Sequence, residues 1–131
     1  MRVLLIDDLR TWGTEKIKKL NLPKGTIAKN YASGITELKK GNWDMLLLDH
    51  DLGEEKDGMN ILEWLEEEAI KSQKFIPKKI IIVTDNAAER NRMKNLSNRL
   101  TNVKEMDKFR ERFSKVIKNL NIPMGNPLIK G

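Results

Sequence analysis

Apolar residues occur in short continuous runs along this chain, and most of these runs stop at an acidic or polar residue. Such runs are typical of strands buried on both faces of a parallel sheet, whereas apolar residues three and four positions apart predict helices. The predicted strands span residues 3–6, 26–31, 45–48 and 80–83, with a short fifth strand near 101–106. The predicted helices span about 14–20, a segment capped by Ser33, and residues 58–71, 87–100 and 107–120.

Five strands that alternate with five helices predict an α/β fold. We expect a doubly wound five-stranded parallel sheet in a flavodoxin-like, receiver-like three-layer sandwich over residues 1–120. Residues 121–131 contain Pro123, Gly125 and Pro127, which favour a loose C-terminal extension. In such a sheet the ligand site lies beyond the carboxyl ends of the strands, where the strand order reverses.

The composition limits the chain to one domain in a reducing compartment. Its 131 residues are 39% hydrophobic and 34% charged, which is enough for one core. The chain contains no cysteine, which excludes disulfides, thiol catalysis and cysteine-ligated zinc. The first apolar run, residues 3–6, is too short for a signal peptide or a membrane span, so we expect a cytoplasmic protein with no membrane partner.

The net charge of +6 comes from one stretch of the chain. Residues 87–118 hold ten basic residues against four acidic ones, while the remaining residues hold equal numbers of each sign. A basic flank of this kind could bind RNA, DNA or an acidic protein surface. The alternative is a pair of solvated helices.

Three carboxylates follow two of the predicted buried strands. Asp7 and Asp8 follow the first strand, and Asp49 follows the third. Taken singly, each could be a turn or cap residue. Together at neighbouring strand ends they would repel one another unless a cation compensated, and oxygen ligands of this kind favour Mg²⁺. Asp51 is a further candidate ligand.

Two more polar residues fall near predicted strand ends. The hydroxyl of Thr84 could bind a phosphate oxygen, although threonine is also common there for structural reasons. Lys104 could supply a positive charge opposite the acids, or it could be an exposed residue of the basic flank.

These residues together resemble the receiver domain of two-component response regulators. The resemblance rests on the acids after strands one and three, threonine after strand four and lysine after strand five. It implies that Asp7, Asp8 and Asp49 hold Mg²⁺, that Asp49 accepts a phosphoryl group in a phosphorelay, and that Thr84 and Lys104 sense it.

Three motifs are closer to a branch of that fold, the receiver-like domains proposed to process cyclic phosphates. They are Asp7-Asp8-Leu9-Arg10, Leu48-Asp49-His50-Asp51-Leu52-Gly53, and Thr84-Asp85-Asn86 followed by Arg90 and Met93. Val83-Thr84 stands where that branch tends to carry His-Ser, so His50 is the one imidazole open to a mechanism. The resemblance implies a catalytic or phosphate-orienting His50 beside Asp49, with Arg10, Asn86 and Arg90 on phosphate oxygens.

Three functions are compatible with this sequence. The first is a Mg²⁺-dependent phosphoesterase that opens a cyclic phosphate at an RNA end or in a cyclic nucleotide. The second is a stand-alone response regulator phosphorylated on Asp49. The third is a degenerate receiver fold that binds a partner through the basic flank.

Overall fold

A computed structural model describes residues 1–102 together with Lys104, Lys108 and Glu111. Its four strands are β1 (Val3–Ile6), β2 (Thr26–Ala28), β3 (Met45–Leu48) and β4 (Lys79–Ile82). Its helices are α1 (Glu15–Lys18), α2 (Tyr31–Leu38), α3 (Gly58–Ala69) and α4 (Ala87–Thr101). The predicted α/β fold with a parallel sheet is confirmed for this part of the chain.

The strands form one parallel sheet in the order β2-β1-β3-β4. The chain therefore runs outward from β1 to β2 and then crosses back over β1 to reach β3. This reversal separates the loops that follow β1 and β3, and it leaves a crevice beyond their carboxyl ends. The predicted switch point lies at this crevice.

Alternation along the strands creates one core on each face of the sheet. On one face, Leu4, Ile6 and their neighbours in β3 pack against α2, α3 and α4. On the other face, Val3, Leu5 and Leu47 pack against Ile17 of α1. Because both faces are covered, β1 and β3 are buried over their whole length, as their continuous apolar runs predict.

The helices that matter for the site begin at polar caps. The Asp57 side chain accepts a hydrogen bond from Asn60 N at the start of α3, and the Asn60 side chain accepts one from Asp57 N. The same reciprocal arrangement starts α2, where Asn30 is the N-cap and Ser33 is its partner. Ser33 therefore takes part in the cap as predicted, but the N-cap residue is Asn30, three positions earlier, and Ser33 lies in the first turn.

A fifth strand near residues 101–106 is not confirmed. Thr101 is the last residue of α4 and Lys104 is helical, while Asn102, the C-cap of α4, has an extended backbone but belongs to no strand. Lys108 and Glu111 of the predicted helix 107–120 are helical, and the rest of that helix and the extension 121–131 lie outside the described residues. None of the helices in the described part combines the length and apolar character needed to cross a membrane.

Candidate functional site

Sheet register brings the predicted acids together. Ile6 lies opposite Leu48, so the next residues, Asp7 and Asp49, are also neighbours. The ladder continues past the strand ends, because Asp49 N donates to Ile6 O at 3.1 Å. With Asp8, each of these residues offers a carboxylate oxygen within 4.8 Å of the other two. Asp7 and Asp49 are buried, so this close group of three acids is held by the core.

Arg10 partly neutralises this group. Its Nη1 lies 3.1 Å from Asp7 Oδ2 and 3.2 Å from Asp49 Oδ2. Asp7 Oδ1 in turn accepts hydrogen bonds from Leu9 N and Arg10 N, which fold the loop after β1 back over the acid. Arg10, predicted to bind phosphate, therefore lies against the candidate metal ligands in this structure.

The pKa of the Asp49 carboxyl group is raised despite its pairing with Arg10. Burial raises the pKa of its carboxyl group, and the charge of Asp7 raises it further, while Arg10 opposes the shift. For Arg10, burial lowers the pKa of the guanidinium, but the hydrogen bond from Arg10 to Asp7 and the acidic charges outweigh burial and leave it above its usual value. Three carboxylates in their ionised form carry more negative charge than one guanidinium balances.

Asp85 and Lys16 form a second pair of charges, on the side of Arg10 that faces away from the buried acids. Its Nη2 donates to Asp85 Oδ2 at 2.7 Å, and Lys16 Nζ donates to Asp85 Oδ1, also at 2.7 Å. The hydrogen bond and charge of Lys16, followed by the charge of Arg10, lower the pKa of the Asp85 carboxyl group. Asp85 therefore joins the loop after β4 to the loop after β1 and to α1.

His50 lies in the same crevice, with its ring held by acids from two helices. Nε2 is 3.1 Å from Asp57 Oδ2 and 3.5 Å from Glu89 Oε2. The backbone N of His50 donates to Asp49 Oδ1 at 2.8 Å. The residues that orient the imidazole are therefore the N-cap of α3 and the first turn of α4, and not the flanking Asp49 and Asp51.

The loop from Asp51 to Gly58 is shaped by two glycines and an acid. Asp51 is exposed, and its Oδ1 accepts from Gly53 N at 2.8 Å, so it closes a turn and stands outside the close group of three acids. Gly53 has φ of 70°, a region that disfavours other residues. A Cβ on Gly58 would stand 1.9 Å from Asp49 O and 2.8 Å from the Cε of Met93. Met93 of the third motif thus packs in the core beneath this close approach.

The third motif builds the opposite wall. The buried Thr84 Oγ1 accepts a hydrogen bond from Asn86 N, and the Asn86 side chain accepts from Glu89 N as the N-cap of α4. Arg90 donates Nε and Nη2 to Thr84 O, at 3.1 and 3.0 Å. Arg90 therefore braces the turn between β4 and α4, while Thr84 and Asn86 remain at the crevice.

The crevice is an open cavity of about 460 Å³. Its lining contains seven predicted site residues, together with Leu9 and Asp85: Asp8, Arg10, Asp49, His50, Asp51, Thr84 and Asn86. Carboxylates, an imidazole, a guanidinium, a hydroxyl and an amide are thus gathered around one space of ligand size.

Two predicted features lie elsewhere. Lys104 is exposed and helical, so it does not follow a fifth strand as predicted. In the described part of the basic flank, Arg92 pairs with Glu89 and Arg99 pairs with Glu66. These pairs use part of the flank's charge within the molecule, and partner binding there stays a prediction.

Four residues of the site were not predicted from the sequence: Lys16, Asp57, Asp85 and Glu89. Asp57 carried a usable signal, because an acid three residues before Asn60 at the start of an apolar helix is typical of a reciprocal cap. Asp85 directly precedes Asn86 in the third motif. Lys16 and Glu89 had no comparable signal, since their roles depend on contacts across the fold.

Comparison with known proteins agrees with this geometry. A family model described as the cyclic-phosphate processing receiver domain matches residues 2–99, which is most of the chain and all four strands. No curated protein and no solved structure gave a match. The matched range contains the close group of three acids and the Leu-Asp-His-Asp-Leu-Gly segment. The chain therefore belongs to the family of cyclic-phosphate processing receiver domains.

Proposed function

We propose that this domain holds Mg²⁺ with Asp7, Asp8 and Asp49 and hydrolyses a cyclic phosphate at an RNA end or in a nucleotide. The observation that carries the proposal is the close group of three acids, two of which, Asp8 and Asp49, line the same cavity as His50 and Thr84. Membership of the cyclic-phosphate processing family supports the substrate class.

The donor set suits a hard divalent cation. Carboxylate oxygens are the ligands that Mg²⁺ prefers, and it also keeps several waters that a wide crevice can accept. Arg10 already pairs with Asp7 and Asp49, which indicates that the acids require positive charge. When bound, Mg²⁺ would polarise the phosphoryl group and neutralise charge that develops on its oxygens.

His50 is suited to move a proton. In a neutral ring that carries its proton on Nε2, the nitrogen nearest Asp57, the lone pair is on Nδ1. The ion pairs of the His50 ring involve Nε2, and the hydrogen bonds of His50 involve its backbone. Nδ1 can therefore accept a proton from an attacking water, and the carboxylates of Asp57 and Glu89 stabilise the imidazolium that results.

The remaining polar groups bind and orient the phosphate. Thr84 and Asn86 offer a hydroxyl and an amide from one wall of the cavity, and Arg10 offers a planar fork of donors from the other. In the reaction one water adds across the ring: its oxygen bonds to phosphorus, one ring P–O bond breaks, and the released ring oxygen takes up a proton. The product is a phosphate monoester beside a free hydroxyl.

The proposal is tested by incubating the full chain with Mg²⁺ and oligonucleotides that end in a 2′,3′-cyclic phosphate, alongside cyclic mononucleotides. Phosphorus NMR distinguishes the ring from the monoester. We expect Asp49→Asn to abolish ring opening, and His50→Gln to slow it by about 10²-fold or more, because it removes general acid–base catalysis.

Asp44→Asn is the matched control, because Asp44 is an acid at the opposite end of β3 that pairs with Lys78. It should leave the rate unchanged. If wild type opens none of these substrates, or if Asp49→Asn opens them as fast as wild type, the proposed reaction is wrong.

A second candidate function is phosphoryl acceptance by Asp49. It is supported by the position of Asp49 and Thr84 in the lining of one cavity, where the Thr84 hydroxyl could respond to phosphorylation of Asp49. Beryllofluoride with Mg²⁺ should then shift the amide resonances of Thr84 and Asn86 in wild type and leave Asp49→Asn unchanged. Ring opening without a beryllofluoride response would favour the first function over this one.

A further inference from the structure

Charges of alternating sign extend outward from the close group of three acids. Asp7 and Asp49 contact Arg10, Arg10 contacts Asp85, and Asp85 contacts Lys16. The members come from the loops after β1, β3 and β4 and from helix α1. This chain of contacts connects an exposed surface to the buried acids.

The two ends of the Arg10 guanidinium face different partners. Nη1 lies at 3.1–3.2 Å from the two buried acids, whereas Nη2 lies at 2.7 Å from Asp85. A guanidinium is planar and rigid, so a pull on one nitrogen moves the other. Asp85 and the buried acids therefore compete for the position of one group.

Lys16 acts on the same competition from the other side. Its Nζ donates to Asp85 Oδ1 at 2.7 Å and also reaches Thr84 O at 3.4 Å. Lys16 thereby fixes the carboxylate of Asp85 to the turn after β4 and shares its negative charge with Arg10. The strength of the contact between Asp85 and Arg10 depends on this sharing.

We propose that Asp85 and Lys16 are positioning residues, which set how firmly Arg10 pairs with Asp7 and Asp49 and hence how readily a cation binds those acids. The cation half of this inference rests on the proposed function. The positioning half concerns Arg10 alone and holds for the metal-free protein.

The signs follow from the contacts. A cation that binds the acids displaces Nη1 of Arg10, and the displaced guanidinium still has Asp85 as a partner. Without a charged Asp85, Arg10 has only the buried acids as partners, so the cation must compete harder and binds more weakly. Without Lys16, Asp85 is wholly available to Arg10, which leaves the acids more easily, so the cation binds more tightly.

Simple charge removal predicts the same signs but a different dependence on Arg10. Asp85 is 79% exposed, so water and salt screen its direct effect on a cation. If the effect passes through the guanidinium, it must vanish when Arg10 is replaced. The interaction between the two sites is therefore the decisive quantity.

The positioning half is tested by NMR of the arginine side chains in the metal-free full chain. In wild type we expect separate signals for the Nη1 and Nη2 groups of Arg10, since each is held by a different acid and rotation is slow. Asp85→Asn should merge or broaden them, whereas Glu66→Gln, which removes a remote surface pair with Arg99, should not. Unchanged Arg10 signals in Asp85→Asn would overturn the proposal.

The cation half is tested by calorimetric Mg²⁺ titration of the same proteins. We expect Asp85→Asn to weaken binding and Lys16→Met to tighten it, each by about threefold or more, and both changes to disappear in an Arg10→Met background. Equal changes with and without Arg10 would overturn this half.

Two outcomes separate the inference from the proposed function. If wild type binds no Mg²⁺, the proposed function and the cation half both fail, and the Arg10 signals still decide the positioning. If Arg10→Met does not fold, Arg10→Lys replaces it, because one ammonium group cannot span both sets of acids.

Discussion

Replacing Asp49 with asparagine should stabilise the protein in the absence of a divalent cation. The substitution keeps the shape of the side chain and an oxygen that can accept from His50 N. It removes a buried charge that lies within 4.8 Å of two other carboxylates. Because the pKa of Asp49 is raised, first by burial and then by Asp7, the folded state favours the neutral form of this group.

The magnitude follows from the distances. At an effective dielectric constant of about 40, between water and protein, each repulsion across 4.8 Å, the upper limit of the separations, costs about 1.7 kcal/mol. At the same dielectric constant, the attraction of Arg10 across 3.2 Å returns about 2.6 kcal/mol. Two repulsions and one attraction leave about 0.9 kcal/mol against the ionised form, and desolvation adds to it. We expect the free energy of unfolding to rise by about 1 kcal/mol.

Urea denaturation in the presence of a chelator, followed by tryptophan fluorescence, measures this change. The midpoint should rise while the slope with urea stays constant, which shows that stability and not compactness has changed. Asp44→Asn is the control of opposite sign: hydrogen bonding from Arg2 N and from Lys78 lowers the pKa of Asp44, so its neutralisation should not stabilise the protein.

Added Mg²⁺ should reverse the order of stability. Wild type gains about 1.4 kcal/mol when the cation is present at about ten times its dissociation constant, whereas Asp49→Asn gains little. A metal-free Asp49→Asn protein that unfolds at lower urea than wild type would refute the reasoning, because Arg10 would then more than neutralise the acids.

Three further outcomes are expected from the same site. The stabilising effect of Asp49→Asn should be full at pH values above the raised pKa of Asp49. It should disappear as the pH falls through that pKa towards the ordinary carboxyl range, because wild type then carries a neutral acid too. Urea titrations at several pH values measure this change, and an advantage that grows on acidification would contradict it. Gly58→Ala should destabilise the protein by about 2 kcal/mol, because the added Cβ would collide with Asp49 O. The control Gly13→Ala, whose Cβ would lie 3.6 Å from its nearest neighbour, should leave thermal unfolding nearly unchanged. Equal effects of the two substitutions would show that the loop around Gly58 relaxes. Asp57→Ala should destabilise α3 by about 1 kcal/mol through loss of the cap to Asn60 and should shift the His50 ring resonances, and a loss of stability without that shift would show that Asp57 does not orient the ring.

The sequence determined the arrangement of the acids because two local rules act together. Continuous apolar runs form strands buried on both faces, and parallel strands end at one edge of the sheet. Asp7, Asp8 and Asp49 stand directly after such runs, so their convergence follows from chain position alone. The first four strands and the helices after them were predictable for the same reason.

Periodicity was less informative at the end of the described chain. The segment near 101–106 has a short mixed pattern that suits a strand or a helix, and in the structure Thr101 ends α4 and Lys104 is helical. Short segments carry too little periodic signal to separate the two states. The role of Lys104 at the site rested on that strand.

Only the tertiary structure decided which charge meets which. His50 is flanked in sequence by Asp49 and Asp51, yet its ring contacts Asp57 and Glu89, because α3 and α4 begin on either side of the crevice. Arg90 binds a backbone carbonyl and Arg10 spans two sets of acids. Side-chain pairing across the fold depends on distances of a few ångströms between separate elements, and residue order along the chain does not fix such distances.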